Sequence, residues 1–182
     1  MHCPACKTNT LRPSSLDNQL PAQHCSTCDG NWLNADQYFA WLDQQPARLS
    51  EKSYEGPTLE LADTQHAKLC PSCVRIMLRY EVGHDTQVTL DQCAACDGIW
   101  LDHHEWEALK GRNLHDEIHL VFTAPWQSQV RKDASKARLT SIYQQRFGEQ
   151  FSELNRMHDW LHQQPNKAEM LSFLSKPDPF DH

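Results

Sequence analysis

Apolar and polar positions change period part-way along the chain. In the first hundred residues they alternate in short runs; past residue 112 they recur every three or four positions. Alternation is the period of a strand, and three-to-four spacing lines one face of a helix. Thr10-Leu11-Arg12 and Leu20-Pro21-Ala22-Gln23-His24 are therefore candidate strands, joined through the turn-rich Ser14 to Asn18. Ile76 to Tyr80 and Gln87 to Asp91 form a clearer hairpin, turning at Gly83-His84-Asp85. Each hairpin precedes a short predicted helix. One runs from Ala35 to about Gln44 and stops at Pro46; the other runs from His103 to Lys110 and ends at Gly111. Asn34 and Asp102 suit N-caps, with Gln37 and Glu105 three residues on as capping-box partners.

Residues 46–66 contain Pro46, Ser50, Ser53, Gly56 and Pro57 among mixed charges and read as an irregular linker, with one candidate strand at Thr58 to Leu61. Beyond Gly111, Leu114, Ile118 and Phe122 keep helical spacing up to a break at Ala124-Pro125. A long helical stretch from Gln127 to Gln164 follows, interrupted near Gly148 and ended by Pro165. Asn166 caps a last short helix.

The cysteines turn this pattern into a repeat. Cys3 maps onto Cys70 with a shift of 67 residues. Cys25, Cys28, Gly30, Trp32 and Leu33 map onto Cys93, Cys96, Gly98, Trp100 and Leu101 with a shift of 68, and the capping positions keep that register. All eight cysteines fall into four Cys-x-x-Cys pairs, two per repeat. Two such pairs one hairpin apart supply a tetrahedral four-thiolate site: Cys3, Cys6, Cys25 and Cys28 in one repeat, Cys70, Cys73, Cys93 and Cys96 in the other. A repeat of about 40 residues is too small to bury an adequate core without such a staple. Gly30 is expected to take a positive φ as the chain leaves the second knuckle.

Cys-Pro-x-Cys, a hairpin, then Cys-x-x-Cys-Asp-Gly-x-Trp-Leu-Asp and a short helix closely resemble the transcription factor IIB-type zinc-ribbon family. Cys70 to Leu109 matches well. Cys3 to Leu42 departs at Asn34-Ala35-Asp36-Gln37, where an acidic helix start is usual, and Ser26 and Ala94 replace the usual knuckle proline. The resemblance implies a zinc ribbon and a link to transcription. The expected fold is thus α+β: zinc ribbons at 1–45 and 67–111, a linker at 46–66, and an α-helical region at 112–182, holding two Zn²⁺ ions.

Charge bears on partners. The formal net charge is −7, and two zinc ions each held by four thiolates take it to −11. Such a surface does not attract phosphate backbones as a whole. Arg131, Lys132, Lys136, Arg138 and Arg146 form a local basic helix, the one candidate nucleic-acid surface; a solvated helix face is the simpler reading. Tyr38, Phe39 and Trp41 are aromatic beyond the needs of a small ribbon. They pack on the second repeat or C-terminal helices, or form a partner-binding face. The pairs His115/His119 and His158/His162 are read as surface or partly packed residues. No apolar run reaches the ~20 residues of a membrane span, and the N-terminus lacks the pattern of a signal peptide, so a cytoplasmic location is expected. No catalytic constellation stands out. The expected function is a non-catalytic, zinc-binding adaptor or regulator working through protein contacts. The alternatives are a nucleic-acid-binding regulator and a thiol redox switch.

Overall fold

The computed structural model describes every residue except 8–9, 18, 47–49, 54–65, 85, 178–179 and 181–182. The strand expected at Thr58 to Leu61 lies outside the described residues. Two compact units divide the chain, Met1–Arg131 and Lys132–His182.

The first unit is organised by a six-stranded antiparallel sheet. Its strands are β1 (Arg12–Leu16), β2 (Leu20–His24), β3 (Asn31–Leu33), β4 (Leu78–Glu81), β5 (Thr89–Gln92) and β6 (Ile99–Leu101). Their spatial order is β1-β2-β3-β6-β5-β4. Each repeat thus contributes three strands, and the third is the Trp-Leu segment, read from sequence only as a prelude to a helix. The repeats meet where β3 pairs with β6, with Trp32 opposite Trp100. The strand order reads the same from either edge, so the two ribbons are related by an approximate twofold through that tryptophan pair.

Strand alternation sends successive residues to opposite faces. Leu33, Ile99 and Leu101 join Leu20, Val88 and Leu90 in the larger core, while Trp32 and Trp100 join buried cysteines in a smaller one. The helices α1 (Ala35–Leu42), α2 (Glu105–Gly111) and α3 (Ile118–Val121) contribute Tyr38, Trp41, Trp106, Leu109, Ile118 and Val121 to the larger core. Tyr38 and Trp41 are 0% and 6% exposed, so an exposed partner face is corrected at these two positions. Three residues apart, they share the helix face that meets the core, and Trp41 touches Trp106 of the other repeat at 5.9 Å. Phe39 points off that face and is 45% exposed.

Three local readings change. Ser14 and Ser15 belong to β1, and the turn falls at Asp17, with φ +52°. Backbone pairing with β2 holds these polar residues in a strand, and Pro13 is tolerated because β1 is an edge. The helix α2 begins at Glu105, after His104 in the left-handed region, not at His103. It ends in a Schellman motif whose left-handed residue is Asn113 (φ +59°), not Gly111. There Leu114 N–H donates to Leu109 C=O at 2.9 Å and Asn113 N–H to Lys110 C=O at 3.1 Å.

The helix α4 (Ala124–Phe147) starts in the first unit, where Trp126 Nε1 donates to Val82 C=O at 2.9 Å. The expected Gln127-to-Gln164 helix is two helices. Gly148 (φ +53°) opens a short 3₁₀ turn, Gly148–Gln150, and α5 (Phe151–His162) and α6 (Lys167–Ser175) follow. No helix among the described residues is long and apolar enough to cross a membrane.

Candidate metal centres

Each Cys-x-x-Cys sits in a tight knuckle. The residue after its second cysteine, Lys7, Asp29, Val74 or Asp97, has a positive φ between 52° and 61°. Its N–H returns to the carbonyl of the first cysteine, at 3.1 Å for Lys7, 2.8 Å for Asp29, 2.9 Å for Val74 and 2.8 Å for Asp97. Aspartate tolerates the left-handed region, whereas β-branched Val74 is strained there and is held by its knuckle. The turn also aims amides at sulfur. Cys6 N–H lies 3.4 Å from Cys3 Sγ, and the N–H groups of Ser72 and Cys73 lie 3.4 Å from Cys70 Sγ.

The four sulfurs of each repeat converge within 4.8 Å of one another. Cys3–Cys28 and Cys6–Cys25 are 3.5 Å apart; Cys70–Cys96 and Cys73–Cys93 are 3.6 and 3.4 Å apart. A tetrahedron with Zn–S bonds of about 2.3 Å has edges of about 3.8 Å. A disulfide requires about 2.05 Å, and all eight cysteines are free thiols. The donor set and spacing fit zinc, so each group can hold one ion. Burial pushes the Cys3 thiol far up, Cys28 up to about 11, Cys70 up to about 12, and Cys96 up. Burial opposes ionisation of Cys93 too, but the amides of Ala95 and Cys96 and the Cys73 thiol outweigh it, bringing Cys93 down to about 7. Four sulfurs this close ionise together only around a cation.

Gly30 and Gly98 have a different role from the one expected. The positive φ belongs to Asp29 and Asp97. A Cβ on Gly30 would stand 2.2 Å from Trp100 Cζ2, and a Cβ on Gly98 would stand 2.1 Å from Trp32 Cζ2. Each ribbon's tryptophan therefore lies against the other ribbon's knuckle, and only glycine leaves room for it.

Behind the second centre is a buried ionic cluster that sequence reasoning missed. Lys68 is 1% exposed, and its Nζ donates to Asp91 at 2.5 Å and to Asp102 at 2.8 Å. Asp102 also accepts from Trp100 Nε1 at 2.7 Å, and Arg79 Nε donates to Asp91 at 3.4 Å. Because its carboxylate is engaged there, Asp102 does not cap α2. Glu105 supplies the other half of the expected box, accepting from Asp102 N–H at 2.7 Å. The repeat alignment carried a signal: Met1, Gln23 and Asn34 of the first ribbon stand where Lys68, Asp91 and Asp102 stand in the second. One lysine and two aspartates appear together.

The remaining candidates lie away from the sulfurs. Arg131, Lys132, Lys136, Arg138 and Arg146 are exposed on α4. His115 and His119 pack around Trp41 and Tyr38, and the rings of His158 and His162 lie 4.3 Å apart, tilted by 38°, on α5. Between the two leading knuckles a groove of about 360 Å³ is lined by Pro4, Pro71, Leu69 and Val74 beside Cys3 and Cys70.

Residues 2–44 and 69–112 each match the family described as Transcription factor zinc-finger, a zinc ribbon. No curated protein and no solved structure matches the chain.

Proposed function

We propose that this chain, which carries two tandem transcription factor IIB-type zinc ribbons, is a non-catalytic adaptor that works through protein contacts, in transcription or a related machine. Four thiolates complete a tetrahedral shell, leaving zinc no position for a substrate or an activated water. The ion therefore holds the knuckles in place, and the surface between them is what a partner meets.

One observation carries the preference for protein. The groove between the leading knuckles is lined by exposed Leu69 and Val74, 48% and 70% accessible, and exposed Ile76 bridges to Leu69. Contiguous exposed apolar side chains rimmed by polar ones favour a protein surface over a phosphate backbone. Residues 132–182 hold equal numbers of acidic and basic side chains, so the whole −7 lies in the first unit. Affinity capture from cell extract with the zinc-loaded protein tests the reading. A partner retained at high salt and lost with Val74→Glu/Ile76→Glu supports it; salt-sensitive retention of nucleic acid alone counts against it.

The second reading, a nucleic-acid-binding regulator, draws on the exposed basic side chains of α4. Charge reversal at Arg131, Lys132 and Arg138 should then abolish binding in a mobility-shift assay, and unchanged affinity would remove it.

A further inference from the structure

At two places related by the approximate twofold, one ribbon's helix start faces the other ribbon's second knuckle. The two places are built differently. With the repeat shift of 68, Ala35, Asp36 and Phe39 of α1 correspond to His103, His104 and Glu107, and Gln92 and Asp97 correspond to His24 and Asp29. At the first knuckle the chain answers its own carboxylate. His24 Nε2 and His103 Nδ1 lie 3.5 and 3.8 Å from the two oxygens of Asp29, and the His104 ring lies 3.6 Å from that of His103.

At the second knuckle the small Ala35 stands where His103 stands at the first, beside a cavity of about 270 Å³. Asp36 and Asp97 supply its carboxylates, Phe39, His119 and Phe122 its rings, and no lysine or arginine lines it. Phe39 and His119 are 5.7 Å apart with their planes at 60°, and Tyr38 Oη lies 3.4 Å from His119 Nδ1. Neither Asp36 nor Asp97 has a hydrogen-bond or ion-pair partner among the described residues. Each acid has a local reason to be present. Aspartate suits the positive φ of Asp97, and an acid suits the first turn of α1 at Asp36. Neither reason accounts for the cavity beside them, or for the imidazoles at the equivalent place.

Carboxylates beside aromatic faces select an organic cation. Its charge meets the acids while its methylenes and the rings shield each other from water. A bare metal ion is disfavoured, because among the described residues only the two sets of cysteines converge closely enough to hold one. We propose that this cavity receives an alkylammonium group, the end of a lysine side chain or a free amine of that size. The ammonium meets Asp36 and Asp97, and its methylenes lie against Phe39 and Phe122. This inference stands apart from the adaptor reading, since it uses no residue of the groove between the leading knuckles.

Titration of the zinc-loaded, isotope-labelled full chain, followed through amide chemical shifts, tests it with n-butylammonium and with Nα-acetyl-lysine N-methylamide. Saturable shifts are expected at Asp36, Phe39, Asp97 and His119 in the millimolar range, and neutral n-butanol should leave these amides in place. Asp36→Asn and Asp97→Asn should each weaken binding about fivefold. Phe39→Leu keeps apolar volume but loses the ring face, and should weaken it about threefold, with Phe39→Tyr restoring it. Ala35→His/Gln92→His copies the first ribbon and should abolish binding. Circular dichroism and a zinc count check folding, and the exposed Asp36 and Phe39 keep the test decisive if Asp97→Asn disturbs its knuckle. Tighter binding of the lysine derivative assigns the site to a protein lysine, and equal or tighter binding of n-butylammonium to a free amine; both support it. Absent shifts overturn the proposal, as do shifts that n-butanol or sodium chloride reproduces, or an affinity that ignores the carboxylate and ring substitutions.

Discussion

At Gly30 and Gly98 a single hydrogen in place of a methyl group lets two ribbons share one sheet. Alanine at either position drives a Cβ into the facing indole ring, and overpacking of this kind costs about 1–3 kcal/mol. Gly30→Ala and Gly98→Ala should therefore lower the chemical-denaturation midpoint of the holoprotein while native mass spectrometry still counts two zinc ions. Loss of zinc without loss of sheet stability would mean that the glycines serve the knuckles instead. Glu105 is a second sensitive residue. Burial lifts its carboxyl to about 8 against an ordinary 4.5, although the N–H groups of Asp102 and Thr89 oppose the shift. Between those values the native chain keeps a proton that the unfolded chain has released. Stability should then fall as pH rises toward 8, by up to about 1.4 kcal/mol per pH unit. Glu105→Gln should flatten that slope in denaturation of the zinc-loaded protein above about pH 6; parallel profiles for the two proteins would assign the slope elsewhere.

At the scale of elements, the two ribbons share a backbone but differ behind the metal. The second ribbon buries Lys68 between Asp91 of β5 and Asp102 at the end of β6. Removing the cation strands two buried carboxylates, a loss of about 3–5 kcal/mol for Lys68→Met. The triple variant Lys68→Met/Asp91→Gln/Asp102→Asn installs the residues of the first ribbon and should recover most of that loss in urea denaturation. An asparagine oxygen still accepts from Trp100 Nε1, the bond that Asp102 makes at 2.7 Å. A triple variant as weak as the single one would show that the ions are needed for more than mutual neutralisation. The capping positions show how far local sequence reaches. Asn34 Oδ1 accepts from Gln37 N–H at 3.2 Å as its spacing predicts, whereas Asp102 is drawn from its cap by a lysine 34 residues away.

At the scale of the molecule, the two metal centres are mechanically joined. The β3–β6 pairing links the ribbons, and Asp17 of the first hairpin holds Lys110 at 2.5 Å and Trp106 Nε1 at 3.2 Å on α2. Damage to one centre should therefore spread. Cys93→Ser should reduce the zinc count and also speed amide exchange in β2 and β3 of the untouched ribbon. Exchange confined to residues 67–111 would show two independent modules. Chelation of both ions should unfold the whole sheet, because each ribbon by itself lacks a sufficient core.

What local chemistry dictates was legible along the chain: eight cysteines in two sets of four, a hairpin between the pairs of each set, the short helices, and the break near Gly148. Cysteine spacing, turn residues and hydrophobic period act over a few residues, so they are legible without a fold. Packing between the repeats, by contrast, takes Trp32 and Trp100 to the opposite knuckles, puts Tyr38 and Trp41 in the core, and buries Lys68 between Asp91 and Asp102. Each of these depends on residues far apart in the chain meeting across a shared sheet, and no local pattern records which face of one repeat will meet the other.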